Sequence, residues 1–157
     1  MQDDSAGNFD RFDRLILDVL STDGRISITE LAVRIGLSKS PTQARLKKLE
    51  KTGVITGYRA QIDPIRMGRD HVAFVEVKLS DTREAALTAF NAGVAAIPEV
   101  EECYMLAAHF DYLLKVRTQD MRDYRRVLGE KISSLPFVAQ SSTHVAMQAV
   151  KEDGNLV

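Results

Sequence analysis

Apolar positions along the first third of the chain repeat at helical spacing. From Phe9 onward, Phe12, Leu15, Ile16, Val19 and Leu20 form one stripe at intervals of three and four. This stripe ends at Thr22-Asp23-Gly24, where Gly24 is expected to take the left-handed conformation that closes a helix. Ile28, Leu31, Ala32 and Ile35 repeat the period after Ser27, and Gly36 stops it. A third helix begins within residues 37–43, where Ser38 and Ser40 both qualify as N-caps. Either choice leaves Pro41 in the first turn, where its missing N–H costs nothing. Leu46 and Leu49 face inward and the helix runs to Gly53. Residues 54–60 then read as a short two-strand wing turning at Gly57.

Three helices, a tight Gly-Leu-Ser turn before the third, and a wing predict a winged helix-turn-helix over residues 9–60. In that arrangement the second helix braces the third, whose N-terminal side chains reach base edges in the major groove. Ser38, Lys39, Ser40, Thr42 and Gln43 lie at that end, with Arg45 and Lys47 a turn further on. Gln43 has the chemistry for a bidentate contact to adenine, and Lys39 and Arg45 for guanine or phosphate.

The pattern changes after residues 61–70, a linker in which Asp63-Pro64 initiates a turn and no period persists. Residues 71–79 (HVAFVEVKL) alternate, with Ala73, Val75, Val77 and Leu79 on one face. Residues 83–97 are helical, with Leu87, Phe90 and Val94 in register and Pro98 as a stop. Strands are predicted over 100–106 and 111–118, with 107–110 as their connector. Asp120 caps a helix carrying Met121, Tyr124, Val127, Leu128, Ile132 and Leu135, and a last strand spans 138–150. The order βαββαβ predicts a ferredoxin-like antiparallel sheet with two helices on one face, making the chain α+β overall. So small a unit has a thin core, and its open sheet face is the natural surface for self-association. Residues 1–8 are expected to be a loose N-terminus, 71–152 the second domain and 153–157 a mobile tail.

Composition adds little, but charge distribution adds something. The 21 Lys+Arg and 22 Asp+Glu leave a net charge of -1, and 45% hydrophobic residues fit an ordinary folded protein. Residues 38–51, however, carry five cations against Glu50, a local excess able to hold a polyanion. No apolar run approaches the ~20 residues of a membrane span, and no secretory signal is visible. Cys103 is the one cysteine, so an intramolecular disulfide is impossible and a reducing, cytoplasmic setting is expected. It reads as a small buried hydrophobe. His71, His109 and His144 lie far apart in sequence without metal-ligand spacing. Nucleotide-binding glycine motifs and nucleophile elbows are likewise missing, so neither a catalytic residue nor a metal site is expected.

The stretches FDRFDRLIL (9–17), DGRISITELAVRIGLSKSPTQARLKKLEKTGVITGYRA (23–60) and FDYLLKVRTQDMRDYRRVLGE (110–130) resemble the leucine-responsive/asparagine-sensing (Lrp/AsnC) family of transcription regulators. Residues 133–152 (SSLPFVAQSSTHVAMQAVKE) extend the likeness to its leucine-responsive branch, and HVAFVEVKLSDTREAAL (71–87) is similar to the activators of proline dehydrogenase genes. The resemblance implies homodimers assembling to tetramers or octamers on double-stranded DNA, and a small amino-acid effector held between C-terminal domains. Proline is the first expectation and leucine the second. The family's Gly-Asp-x-Asp effector loop is matched by Ala108-His109-Phe110-Asp111, in which only Asp111 keeps the family residue. On this footing Asp111 is expected to pair with the effector's ammonium and the amides near Ala107 and Ala108 to hold its carboxylate. His109 is a candidate donor or pH sensor. Met121, Tyr124, Ser133 and His144 match positions lining the family's cleft.

The reading is thus a sequence-specific regulator of amino-acid catabolism. Two others stand beside it: a nucleoid-type architectural protein or leucine-responsive global regulator, and an enzyme's regulatory subunit with merely structural N-terminal helices.

Overall fold

The computed structural model describes residues 9–152, so the expectations for 1–8 and 153–157 lie outside the described residues. The chain divides into two compact units between Ala60 and Gln61.

In the first unit, α1 (Arg11–Thr22), α2 (Ile28–Ile35) and α3 (Lys39–Lys51) pack around Ile16, Leu31, Ile35 and Leu49. Asp10 caps α1 by accepting from the Phe12 and Asp13 amides, and Ser27 caps α2 through the Glu30 amide. Gly36 takes φ 73°, a left-handed conformation costly for any residue with a Cβ. The Leu37 amide then reaches back to the Ala32 carbonyl at 3.0 Å, which reverses the chain into α3. Ser38 is the N-cap of α3, although its side chain makes no capping bond.

Two expectations fail here. Gly24 is not left-handed; α1 ends at Asp23, whose carboxylate accepts from the Arg25 amide and makes the turn itself. Nor do residues 54–60 form strands. The Val54 and Ile55 amides both donate back to the Leu49 carbonyl, and the Tyr58 hydroxyl donates to Glu50, so the wing's bonds go to α3 rather than across a hairpin.

In the second unit, β1 (His71–Leu79), β2 (Val100–Met105), β3 (Tyr112–Thr118) and β4 (Val138–Val145) form one antiparallel sheet in the order β2-β3-β1-β4. This is the ferredoxin-like order. The alternation in β1 buries Ala73, Val75, Val77 and Leu79, which pack with Phe90 and Val94 of α4 (Glu84–Ala95) and Tyr124 and Val127 of α5 (Met121–Val127). The expected single helix after Asp120 is instead α5 followed by a π-helical turn, Leu128–Ile132. The last strand stops at Val145 rather than 150, because β1 begins at His71 and offers only the Val72 carbonyl to Ala146.

The open face carries a charged cluster. Glu152 binds Arg117 and lies 2.5 Å from Lys115 Nζ, while Glu101 takes Arg117 Nε at 2.6 Å. The hydrogen bond from Lys115, opposed by burial and aided by the Arg117 charge, holds the Glu152 carboxyl below its ordinary value. A depressed folded value means stabilisation that is complete above the unfolded carboxylate pKa of about 4.3 and lost as pH falls through the folded value. Thermal melts from about pH 6 down to about pH 3 should therefore show a falling midpoint for this unit, with a shallower fall in Glu152→Gln. An unchanged slope in that variant would remove Glu152 from the linkage.

Candidate DNA-binding and effector sites

Side-chain exposure along α3 divides the predicted DNA-binding residues. Thr42 and Leu49 are buried, with Arg45 and Leu46 half-buried beside them, and this stripe faces the other helices. The opposite stripe is solvent-exposed and carries Lys39, Ser40, Gln43, Lys47, Lys48 and Lys51, with Ser38 exposed at the cap. Four lysines and a glutamine on one side of a 13-residue helix, with Glu50 the one acid among them, make a surface of net positive charge, with the helix N-terminal amides adding to it.

Two expected contacts are corrected. Thr42 is 0% exposed and its hydroxyl donates to the Ser38 carbonyl at 2.9 Å, so it fastens the first turn of α3 and cannot reach a base. Arg45 is committed within the unit. Its guanidinium lies 2.8 Å from Asp13 and 2.6 Å from Asp10, and 5.5 Å above the Phe12 ring. The hydrogen bonds to Asp13 and then Asp10 raise its pKa, so the positive charge is spent on α1 and its cap. Sequence periodicity could have flagged Arg45, since 42, 45, 46 and 49 share one helical stripe.

The effector candidates scatter across both faces of the sheet. Asp111 sits immediately before β3, and its Oδ2 accepts from the Leu79 amide at 2.7 Å while its own amide donates to the Val77 carbonyl. Lys78 Nζ stands 3.5 Å from Oδ1, and the side chain is only 16% exposed. Asp111 thus ties the start of β3 to the end of β1 through Oδ2 and keeps Oδ1 toward Lys78. Ala107, Ala108 and His109 are exposed in the loop before it. Tyr124 is 2% exposed, its hydroxyl 2.5 Å from Thr143 Oγ1 on the helix-covered face, so it is a core residue and lines no open cleft. Met121 and Ser133 are exposed at either end of the last helical region, Met121 against the apolar stripe predicted for it, because it is the first residue of α5.

His109 and His144 do converge. His144 Nε2 is 3.1 Å from Glu76 Oε1 and His109 Nε2 is 3.4 Å from Glu76 Oε2, on the open face. Glu76 escapes a reading of the sequence because a charged residue at an outward position of an alternating strand looks solvated. Cys103 is half-buried, and burial pushes its thiol pKa up, away from the reactive thiolate. Among the described residues no cluster suited to a metal ion occurs, and no helix is long and apolar enough to cross a membrane.

Known proteins align with both units. Residues 9–56 match the model of the winged helix-turn-helix DNA-binding family, and residues 72–156 that of the Lrp/AsnC ligand binding domain. A proline dehydrogenase transcriptional activator of Rhizobium radiobacter is 61% identical over 147 residues, covering 94% of each chain. The leucine-responsive regulatory protein of Salmonella typhimurium is 42% identical, covering 96% of this chain and 92% of its own. Among solved structures, a Neisseria meningitidis transcriptional regulator with L-methionine superposes with a TM-score of 0.86 at 31% identity, covering 92% and 93% of the two chains.

Proposed function

The chain belongs to the Lrp/AsnC family of transcription regulators, and from that premise we propose that it activates genes of proline catabolism in response to proline. The observation that carries the DNA-binding half is the exposed stripe of α3: Lys39, Gln43 and Lys47 recur at the one-turn spacing that a helix lying in the major groove needs. Ser38 and Ser40 add hydroxyl donors to phosphate at the helix start. The pathway rests on the identity to an activator of proline dehydrogenase, and the amino-acid effector on the ligand-binding domain and on a related regulator that holds L-methionine. A leucine-responsive role is the second reading, favoured by the identity to the Salmonella protein.

Regulation follows from linkage. If proline binds one arrangement of the C-terminal units more tightly, its presence shifts that population and with it the affinity for DNA, by at most its own differential affinity. A symmetric dimer would place two winged helices on half-sites about one helical turn, ~10 base pairs, apart. Dimers, and tetramers or octamers built from them, belong to this proposal, as does a cytoplasmic location.

The test is a footprint on the chain's own control regions and on random-sequence competitor, with and without proline or leucine. A short phased footprint that resists competitor and changes with proline is the expected result. An unphased footprint displaced equally by random DNA and indifferent to both amino acids would favour the architectural reading. Binding no DNA at all would overturn the regulator.

A further inference from the structure

Beyond the C-terminal end of β3, a cavity of about 650 Å³ opens between Arg69 before β1, the turn at Pro98-Glu99 before β2, and the 119–126 segment that begins α5. We infer that this cavity binds the phosphate monoester of a small hydroxylated molecule, with Arg69 and Arg122 on the phosphate and Asp120 on a ligand hydroxyl. The cavity is remote from the loop that precedes Asp111. The seven residues of β3 separate the two, roughly 20 Å at the usual strand rise. It also lies beside α5, at the end of the sheet, rather than on the open face.

Four arginines and three carboxylates line the cavity, and the fold pairs off most of them. Glu99 receives Lys131 Nζ on both oxygens, at 2.6 and 2.8 Å. Asp123 Oδ1 takes Arg126 Nη2 at 2.6 Å, and that hydrogen bond holds the Asp123 carboxyl below its ordinary value. Arg117 is 5% exposed and bound by Glu101 and Glu152. Two cations remain. Among the described residues neither Arg69 nor Arg122 has a carboxylate partner, and Arg122 is fully at the surface of α5. Arg69 Nη2 donates to the Arg117 carbonyl at 3.2 Å. That bond anchors the guanidinium at the cavity wall and leaves its other N–H groups to a ligand.

Charge and lining select the ligand class. Two unpaired guanidiniums match a ligand that carries two negative charges on one group. A phosphate monoester bears about −1.5 to −2 at pH 7 and offers three free oxygens, enough for two planar forks. A dicarboxylate of equal charge must spread it across a cavity whose other walls hold Glu99, Asp120 and Asp123. Asp120 caps α5 with Oδ1, which accepts from the Asp123 amide at 2.8 Å, and Oδ2 is left to accept from a hydroxyl. Gln119 adds an exposed carboxamide beside it. Small-molecule sites occupy about 300–1,000 Å³, so the cavity has room for a sugar phosphate.

Isothermal titration of the full-length protein with ribose 5-phosphate, inorganic phosphate, ribose and succinate tests this, using Arg122→Gln, Arg69→Gln and the control Arg125→Gln. The sugar phosphate should bind saturably, inorganic phosphate more weakly, and ribose and succinate not at all. Losing a hydrogen bond to a charged group weakens binding by about tenfold or more. That loss is expected in the first two variants and not in Arg125→Gln, whose exposed side chain lies outside the cavity. Arg122→Gln should melt like wild type, so it carries the test even if Arg69→Gln unfolds. Wild type that binds neither phosphate, or binds succinate as tightly as the sugar phosphate, overturns the site. Equal weakening in Arg125→Gln would replace the cavity with a diffuse basic surface. Sugar-phosphate affinity kept in Arg122→Gln, with DNA binding less dependent on salt, would give that cation to the DNA backbone instead.

Discussion

Lys39→Glu, Gln43→Ala and Lys47→Glu introduced together should lower affinity for operator DNA by at least about a hundredfold, since each base or phosphate interaction removed costs roughly 1–3 kcal/mol. All three side chains lie on the exposed stripe of α3, so the thermal transition should not move. Two of the changes remove phosphate-seeking cations, and the dependence of log affinity on log salt should become shallower by about 0.9 for each phosphate no longer neutralised. Fluorescence anisotropy on DNA selected by the wild-type protein gives both quantities. Arg45→Met is the informative contrast. Because Asp10 and Asp13 already hold that guanidinium, its removal should lower the melting temperature of the first unit and leave the salt slope alone. A folded triple variant that binds as tightly as wild type would take the DNA-reading role away from α3.

Ile16→Ala should abolish DNA binding by a different route. Ile16 is 0% exposed at the centre of a core whose other enclosed members are Leu31, Ile35 and Leu49. Deleting a buried aliphatic side chain of this size costs about 2–5 kcal/mol. A unit of some fifty residues has a margin of roughly 3–7 kcal/mol, so most of its stability goes with the one side chain. The second unit has its own core around Val75, Phe90, Leu114 and Val127 and should keep its thermal transition and its amino-acid binding. Calorimetry resolves the two transitions. Equal loss in both would mean that the units unfold as one.

These expectations separate what periodicity can reveal from what it cannot. The apolar stripe of α1, the Ser27 cap, the reversal at Gly36 and the alternation of β1 are all legible, since each depends on residues within a few positions of one another. So is the order of elements that yields the sheet β2-β3-β1-β4. The wing is not legible because its hydrogen bonds run to α3, and a local pattern carries no trace of a partner several residues outside it. Strand β4 reads too long because its end is set by where β1 begins, some seventy residues earlier.

The binding residues show the same division more sharply. Residue type alone makes Arg45 a DNA contact and Asp111 a ligand contact. The fold gives each a partner remote in sequence, Asp13 for the first and the Leu79 amide for the second. It also brings Glu76 to His109 and His144, three residues that nothing in their spacing connects. Helix and strand periods and local charge are properties of neighbouring residues, so the two domains, most of their secondary structure and the basic character of α3 follow from the order of residues alone. Which of those charges stay available is settled by the folded arrangement, because a charge is consumed by whichever opposite group the chain carries to within hydrogen-bonding distance.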